Sequence, residues 1–345
     1  MLMHVGSGSA WTAEAILELA RAYQAPAVLT AAAELDVFSK LAERPRTGAE
    51  LAAILNCDAR GLGVLLDALA ALRLLEKQGA VYASAPGVAS LLCESGNRSV
   101  AAMVRHQGNC LRRWAQLGRT VKDGRPAQRL PSVRGETGDL ESFIKAMHNI
   151  SAPVADEVIQ AIQPSEFHCL LDVGGGPGTW TAAFLRGCPT GRAVLFDLPE
   201  VLPIAREQLR ACGLSERVEF VAGDYNTDAL PAGADLAWVS AIVHQNSRAQ
   251  NRALFAKVFQ ALVPNGRMAI RDILMEAGRT APVAGALFAV NMLVGTEGGG
   301  TFTLEELRED LESAGFEGVT VARQDAGMNS VVTARRAGQG GGGNL

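Results

Sequence analysis

The run Leu170-Leu-Asp-Val-Gly-Gly-Gly-Pro-Gly-Thr-Trp180 places an apolar segment directly before a glycine-rich turn. An apolar strand that leads through such a turn into a helix is typical of the place where α/β sheets bind nucleotides. Gly174, Gly176 and Gly178 let the backbone approach a ligand closely, because they lack a Cβ. Their G-x-G-x-G spacing differs from the G-x-G-x-x-G of dinucleotide-binding proteins. Asp172 offers a carboxylate that attracts a cationic ligand group and would repel a pyrophosphate.

The sequence after residue 166 alternates apolar segments with amphipathic ones, which is typical of a parallel sheet with crossover helices. Thr303-Leu-Glu-Glu306 has the form of a capping box and predicts the start of the last helix. We therefore predict a doubly wound α/β domain over residues 166–336. Its strands are expected near 168–174, 192–196, 217–221, 235–240, 267–274, 318–324 and 328–334, and its helices near 179–187, 200–212, 248–263 and 303–314.

Two further acidic residues end the next two predicted strands. Asp197 lies in Leu195-Phe-Asp-Leu-Pro199, 25 residues after Asp172, in the range where an acidic side chain binds ribose hydroxyls. Asp224 lies in Val221-Ala-Gly-Asp-Tyr225, where it is expected to meet an adenine amino group while Tyr225 covers the ring. Three acids at successive strand ends indicate a nucleoside-containing ligand more specifically than any one of them, since a single acid there is more often a helix cap.

The N-terminal segment, residues 12–86, has the pattern of a winged helix. Thr47-Gly-Ala-Glu50 predicts a capped helix through Leu55, a second helix is expected over about Asp58–Leu74, and two short strands follow around a glycine over residues 75–82. Residues 61–72 are almost wholly apolar, so this second helix is predicted to be buried in its own core or against a second subunit. DNA reading needs Arg, Lys, Asn or Gln facing the bases, and this helix has few of them.

Residues 87–165 are predicted to be a helical connector that contributes to the substrate pocket, with a boundary at Pro164. Between residues 105 and 134 this connector carries eight basic residues and one acid, which we interpret as solvated helix faces. Residues 337–345 are mostly glycine and are predicted to be a disordered tail.

Composition narrows the class of protein. A chain of 345 residues is long enough for two domains, and its net charge of -4 gives no reason to expect nucleic acid as a partner. The start of the chain has no signal-peptide pattern, and nowhere do 18 apolar residues follow one another. The six cysteines have neither C-x-x-C pairing nor metal-ligand spacing. We therefore expect reduced thiols in a cytoplasmic protein, with no metal site and no membrane span.

Taken together, D-V-G-G-G-P-G, F-D-L-P and A-G-D-Y resemble the motifs of class I S-adenosylmethionine-dependent methyltransferases. More narrowly, the chain is similar to the plant-type and bacterial small-molecule O-methyltransferases, which include acetylserotonin, caffeate and polyketide O-methyltransferases. The resemblance covers nearly the whole chain. It implies a Rossmann-like, seven-stranded methyltransferase domain preceded by an all-helical winged-helix dimerisation domain, a homodimer, and S-adenosylmethionine as cofactor. The implied cofactor-binding residues are Asp172, Gly174, Gly176, Gly178, Asp197, Leu198, Gly223, Asp224, Tyr225 and Ser240.

The same resemblance implies a general base just past the fourth strand, and His244 takes that place in Trp238-Val-Ser-Ala-Ile-Val-His-Gln-Asn246. Asp272, on the fifth strand, matches the acid that orients this imidazole. The pattern departs from the family at Gln245-Asn246, where Asp-Trp is usual, and at Thr301, which replaces a third acid. The substrate pocket is implied between the domains, and its expected lining is Met147, His148, Asn291, Met292, His106 and Trp114.

An aromatic hydroxyl is the expected methyl acceptor, because a phenol with a pKa of about 10 is within reach of a histidine base. Two alternatives stay open. The altered residues around His244 allow C- or N-methylation, or a cofactor-assisted reaction without methyl transfer. The winged helix allows a DNA-binding regulator, which the apolar second helix disfavours.

Overall fold

In a computed structural model, which describes residues 11–96, 98–162 and 167–338, the chain folds as two units. The first unit comprises the described residues up to Leu111 together with Leu130–Ala146. The second comprises Arg112–Arg129 and the described residues from Met147 onward. The segment examined for a signal peptide, the predicted boundary at Pro164 and most of the predicted tail lie outside the described residues.

The first unit contains the predicted capped helix, the apolar helix and the wing. Thr47 and Glu50 form both hydrogen bonds of the predicted capping box, and the Asp58 carboxylate accepts from the Gly61 N–H at 2.7 Å to cap the apolar helix. Three short antiparallel strands form the wing in the order β1-β3-β2, which adds a small sheet to an otherwise helical unit. The elements are α1 (Ala13–Arg21), α2 (Gln24–Glu34), α3 (Val37–Glu43), β1 (Arg46–Thr47), α4 (Gly48–Leu55), α5 (Ala59–Ala71), β2 (Leu75–Gln78), β3 (Val81–Ser84), α6 (Val88–Leu92) and the start of α7 (Ala101–Trp114).

Helices α1 and α5 bury their apolar residues to different extents. Leu62, Leu66 and Leu69 of α5 lie in the core of the first unit. This agrees with the prediction that the helix is buried in its own core. Helix α1 buries none of its residues, and its apolar side chains are about half exposed. Such an uncovered apolar helix is expected where another protein surface packs against it.

The connector is helical, as predicted: α7 is followed by α8 (Leu117–Asp123), α9 (Gly135–Ser151) and α10 (Ala155–Ile162). Its basic residues do not all lie on solvated faces. Arg119, Lys122, Arg125 and Arg129 are exposed, but Arg105 is 4% exposed and pairs with Asp36 and Glu94. The interpretation of the whole run as solvated was wrong for Arg105, because its acidic partners lie far away in the sequence.

The second unit is a seven-stranded sheet with the strand order β11-β12-β8-β7-β4-β5-β6. All seven strands and all four helices predicted for this domain are present, with ends shifted by a few residues. The elements are β4 (Cys169–Val173), α11 (Thr179–Gly187), β5 (Arg192–Asp197), α12 (Leu202–Ala211), β6 (Val218–Ala222), β7 (Ala234–Ser240), α13 (Arg248–Ala261), β8 (Leu262–Asp272), β9 (Leu274–Met275), α14 (Val283–Gly295), β10 (Phe302–Thr303), α15 (Leu304–Ser313), β11 (Phe316–Arg323) and β12 (Ser330–Arg336).

Strand β4 lies where the strand order reverses, with β5 on one side and β7 on the other. Leu170 and Leu171 point to opposite faces of the sheet, and both are fully buried, because helices cover both faces. Ligands of open α/β sheets bind at such a reversal, beyond the carboxyl ends of the strands. The topology therefore places the glycine-rich turn after β4 at the expected ligand site. Among the described residues, no helix is long and apolar enough to cross a membrane.

We expect the substitution Asp310→Ala to destabilise the second unit. Asp310 on α15 is 1% exposed and accepts hydrogen bonds from Arg248 and Arg252 of α13, at 2.8 and 2.9 Å. Its loss leaves both arginines without their buried acceptor and should lower the free energy of unfolding by about 2–4 kcal/mol, measured by urea denaturation. Glu309→Ala is the matched control, because Glu309 is largely exposed and also contacts Arg248; a change as large as that of Asp310→Ala would contradict the assignment.

Candidate active site

The turn after β4 depends on glycine. Gly174, Gly176 and Gly178 all have positive φ angles, of 62°, 54° and 77°. A Cβ on Gly178 would also lie 2.8 Å from the Leu209 side chain, and one on Gly174 would lie 2.6 Å from Ile242. The Gly174 N–H donates to the Phe196 carbonyl at 2.8 Å, which ties the turn to the end of β5. The turn is therefore a close-packed backbone cradle that a side chain would block.

Asp172 lies beneath this turn and is 1% exposed. The Thr181 hydroxyl donates to its Oδ2 at 2.5 Å, and burial raises the pKa of Asp172 to about 7. Sequence reasoning missed Thr181, although its position on the helix that follows the turn was available as a signal.

Asp197 lies at the end of β5, on the other side of the turn. Its Oδ2 accepts from the Gly176 N–H and its Oδ1 accepts from the Leu198 N–H, both at 2.7 Å. Burial raises the pKa of Asp197 despite these two hydrogen bonds. Among the described residues, neither Asp172 nor Asp197 has a cationic side chain within ion-pair distance. A buried carboxylate and a partly buried one, neither with a described cation beside it, fit a ligand that carries positive charge.

The third acidic strand end has a different arrangement. The Asp224 carboxylate accepts from the Asn226 backbone N–H at 2.8 Å and so closes its own turn. Gly223 packs against the Phe196 ring, and the Tyr225 ring reaches Gly174, with burial raising the pKa of Tyr225 to about 12. Lys257, which the sequence did not single out, donates to the backbone carbonyls of residues 225, 226 and 228, each at 2.9 Å. The lysine fixes this turn next to the glycine cradle.

His244 and Asp272 form a buried pair at the carboxyl ends of β7 and β8. The His244 Nδ1 lies 2.9 Å from Oδ2 and 3.0 Å from Oδ1 of Asp272, and the Ile273 N–H also donates to Oδ1. Because a carboxylate accepts only, this contact assigns the hydrogen to Nδ1 and leaves Nε2 as the basic nitrogen. No described side chain forms a hydrogen bond with Nε2. The pair can therefore accept a proton at Nε2 and stabilise the resulting imidazolium.

The residues that depart from the family pattern do not support the imidazole. Gln245 is exposed and donates to the Ala241 carbonyl, whereas Asn246 is buried and donates to Asn251 at 3.1 Å. Thr301 is buried, and its hydroxyl donates to the Gly285 carbonyl at 3.5 Å. Among the described residues, Asp272 is thus the one carboxylate that holds His244.

The predicted pocket residues fall into both units. In the second unit, Asn291 accepts from the Trp114 indole N–H at 2.9 Å, and Met292 follows it on α14. Phe288 of the same helix packs its ring edgewise on His244 at 4.8 Å between centroids. Helical spacing puts Phe288, Asn291 and Met292 on one face of α14, so this helix links the residues expected in the pocket to the histidine.

Two more of these residues lie elsewhere in the second unit. His148 on α9 forms a 2.9 Å hydrogen bond from Nδ1 to the Thr179 hydroxyl, at the start of α11, and burial lowers the pKa of His148. Met147 precedes it and is partly buried. His106 belongs to the first unit, where its ring packs at a tilt of 56° against Phe143, with 5.1 Å between the ring centroids.

Arg271, which sequence reasoning missed, lies between Ile270 and Asp272 and is 2% exposed. Its guanidinium lies 4.5 Å from the Trp180 ring centroid and donates to the Ser240 hydroxyl and to Asn329 Oδ1. Burial lowers the pKa of Arg271 to about 10. Ser240, predicted to bind cofactor, is therefore engaged by an arginine that joins the start of α11 to the ends of β7 and β8.

Comparisons with known proteins identify the family of this chain. A family model described as the O-methyltransferase domain matches residues 114–317, and one described as the O-methyltransferase dimerisation domain matches residues 17–95. The tetracenomycin polyketide synthesis 8-O-methyl transferase TcmO of Streptomyces glaucescens is 32% identical over 88% of this chain and 91% of its own length. The 3-hydroxy-5-methyl-1-naphthoate 3-O-methyltransferase of Streptomyces sahachiroi is 30% identical over 90% of this chain and 91% of its own.

Not all similar proteins are O-methyltransferases by name. The N,N-dimethyltransferase OxyT of Streptomyces rimosus is 27% identical over 88% of this chain and 90% of its own. Among solved structures, human N-acetylserotonin methyltransferase in complex with S-adenosylmethionine superimposes with a TM-score of 0.80 at 26% identity, covering 96% of this chain and all of that one. The family-model matches and the identity to TcmO confirm the resemblance drawn from the sequence motifs: the chain belongs to the family of S-adenosylmethionine-dependent O-methyltransferases.

Proposed function

We propose that this protein transfers the methyl group of S-adenosylmethionine to a hydroxyl oxygen of a small aromatic or polyketide-like molecule, with His244 as the general base. The observation that carries this proposal is the buried His244–Asp272 pair. The pair lies at the carboxyl ends of β7 and β8, next to the glycine cradle. Ile242, two residues before His244, packs directly on Gly174. A base at this position lies next to the expected cofactor site.

The cradle suits the cofactor in shape and charge. S-adenosylmethionine supplies an electrophilic methyl group on a positively charged sulfur. Asp172 would attract its positive charge, and Asp197 would accept hydrogen bonds from its ribose hydroxyls. The glycine turn at residues 174–178 would lie directly against the cofactor. Tyr225, which reaches Gly174, would cover the adenine ring.

The His244–Asp272 pair lowers the main energetic cost of the reaction, which is removal of the proton from the acceptor hydroxyl. Ionising a phenol of pKa about 10 at neutral pH costs about 4 kcal/mol, since each pKa unit is about 1.4 kcal/mol. An imidazole within hydrogen-bond reach of the hydroxyl takes the proton as the oxygen attacks, and such catalysis is typically worth about 10²–10⁴-fold. Asp272 holds the ring in the required tautomer and compensates the charge that develops on it. An aliphatic hydroxyl, with a much higher pKa, would gain far less.

A nitrogen acceptor is the second candidate. The similarity to OxyT favours it, and so does Thr301, which leaves His244 with a single carboxylate. An amine needs less help from a base than a hydroxyl does, because its lone pair attacks before the proton leaves. The regulator alternative has less support, since α5 carries one basic residue, Arg60.

A homodimer formed through the N-terminal domain is part of the proposal. The match of residues 17–95 to a dimerisation domain supports it, as does the row of half-exposed apolar side chains on and beside α1: Trp11, Ile16, Leu17, Leu19 and Tyr23. No disulfide joins the described cysteines, which supports the proposed cytoplasmic location.

His244→Ala should lower kcat for a phenolic acceptor by about 10²–10⁴-fold and leave the Kd for S-adenosylmethionine unchanged, because the base acts on the acceptor. Steady-state kinetics and calorimetric titration measure the two quantities. His168→Ala is the matched control, since the His168 side chain is almost fully exposed. Full turnover by His244→Ala would refute the role of the base.

Assays with 1-naphthol and 1-naphthylamine separate the two acceptor classes, and methylation of the amine alone would favour the second candidate.

Light scattering should give about twice the chain mass of 36.3 kDa at micromolar concentration. Ile16→Glu should reduce the mass to that of one chain, because it places a charge at the centre of the exposed apolar face of α1. Val283→Glu serves as the control, since Val283 is a comparably exposed apolar residue at the start of α14. A monomeric wild type, or equal effects of the two substitutions, would contradict dimerisation through α1.

A further inference from the structure

Thr181 forms an unusually short contact with the acid beneath the glycine cradle. Its side chain is fully buried on α11, and its hydroxyl donates to Asp172 Oδ2 at 2.5 Å. The same oxygen lies 3.1 Å from the position of a Cβ built on Gly175, so the hydroxyl holds the carboxylate against the turn.

Thr181 supplies two neutral hydrogen-bond donors to Asp172, its hydroxyl and its backbone N–H, and no described cation lies within ion-pair distance of this carboxyl. The negative charge of Asp172 is opposed by burial and by Asp197 at the end of β5, and favoured by these two donors. The charged residues that the structure describes on the neighbouring elements are engaged elsewhere. On α11 the charged residue is Arg186, which pairs with Asp156, and on β7 it is Asp235, which accepts from the backbone N–H groups of residues 168 and 169. Burial therefore raises the pKa of Asp172 to about 7, from an ordinary 3.8.

We propose that Thr181 is a positioning residue of the cofactor site, whose hydroxyl orients Asp172 and allows it to ionise when the positively charged cofactor binds, so that binding releases a proton. The Asp172 O–H bond breaks, its proton passes to solvent, and the carboxylate that remains keeps the hydrogen bond from Thr181. The proposal rests on the cofactor assignment and not on the identity of the acceptor.

The direction of the pH dependence follows from the raised pKa of Asp172. Below this pKa the free protein holds the proton, which must leave when the cofactor binds, and above it the carboxylate is already ionised. Proton release per cofactor bound should therefore be larger at pH 6 than at pH 8, and the affinity should rise with pH until Asp172 is fully ionised.

Calorimetric titration of the full-length protein with S-adenosylmethionine, at each pH in two buffers of different ionisation enthalpy, counts the protons released. Thr181→Val should weaken binding about tenfold at pH 7, because loss of a hydrogen bond to a charged group raises the pKa of Asp172 by about one unit or more. The difference from wild type should shrink by pH 8.5, and substantial proton release should persist at pH 8. With acceptor present, KM for the cofactor should rise while kcat stays the same. Thr181→Ser, which keeps the hydroxyl, should restore wild-type behaviour.

Two control variants distinguish a positioning role of Thr181 from a role in packing alone. Thr120→Val makes the same chemical change at another buried threonine of the second unit, whose hydroxyl has no hydrogen-bond partner among the described residues, and should leave cofactor binding unchanged. Asp172→Asn should bind the cofactor weakly at every pH and release no proton. If Thr181→Val melts below the assay temperature, Thr181→Ala takes its place, since it removes the hydroxyl without adding a methyl group.

The proposal is overturned if wild type releases no proton at pH 6, or if Thr181→Val binds and releases protons as wild type does. A folded wild type that binds no S-adenosylmethionine would overturn the cofactor assignment and this proposal with it. Failure to methylate phenols has no bearing on these titrations, so the proposed reaction and the role of Thr181 are tested separately.

Discussion

The second unit depends on how the backbone leaves strand β4. This strand is buried on both faces, so the chain must turn within a crowded interior and still leave room for a ligand. Left-handed conformations at Gly174, Gly176 and Gly178 solve the steric part of this problem. The electrostatic part is solved less completely, because the buried Asp172 and the partly buried Asp197 have no cation beside them among the described residues. A positively charged ligand would offset this desolvation.

Local sequence patterns were sufficient to predict the framework around this turn. Strand positions followed from apolar runs, and helix starts followed from capping residues such as Thr47 and Thr303, whose capping boxes are both formed. The acids at the strand ends were predictable because parallel strands bring their carboxyl ends to one edge of the sheet. In each case the signal lay within a few residues of the feature it specified.

Contacts between distant segments were not predictable in this way. Lys257 on α13 binds backbone carbonyls near residue 225, and Arg105 finds acidic partners at residues 36 and 94. Phe288 meets His244 through a helix whose apolar composition gave no preferred face. Side chains of these types occur throughout the sequence, and only the fold determines which of them meet. The departures at Gln245, Asn246 and Thr301 were visible in the sequence, but that Asn246 turns away toward Asn251 was not.

Arg271 has a consequence for how this protein can change over generations. Its buried charge is accommodated by the face of Trp180 and by the oxygens of Ser240 and Asn329, which come from three separate segments of the chain. Losing any one of these partners leaves a cation partly unsolvated, whereas losing the arginine first leaves an empty space and unused acceptors. A single substitution at any of these four positions is therefore expected to be destabilising, so the four residues can be exchanged only together.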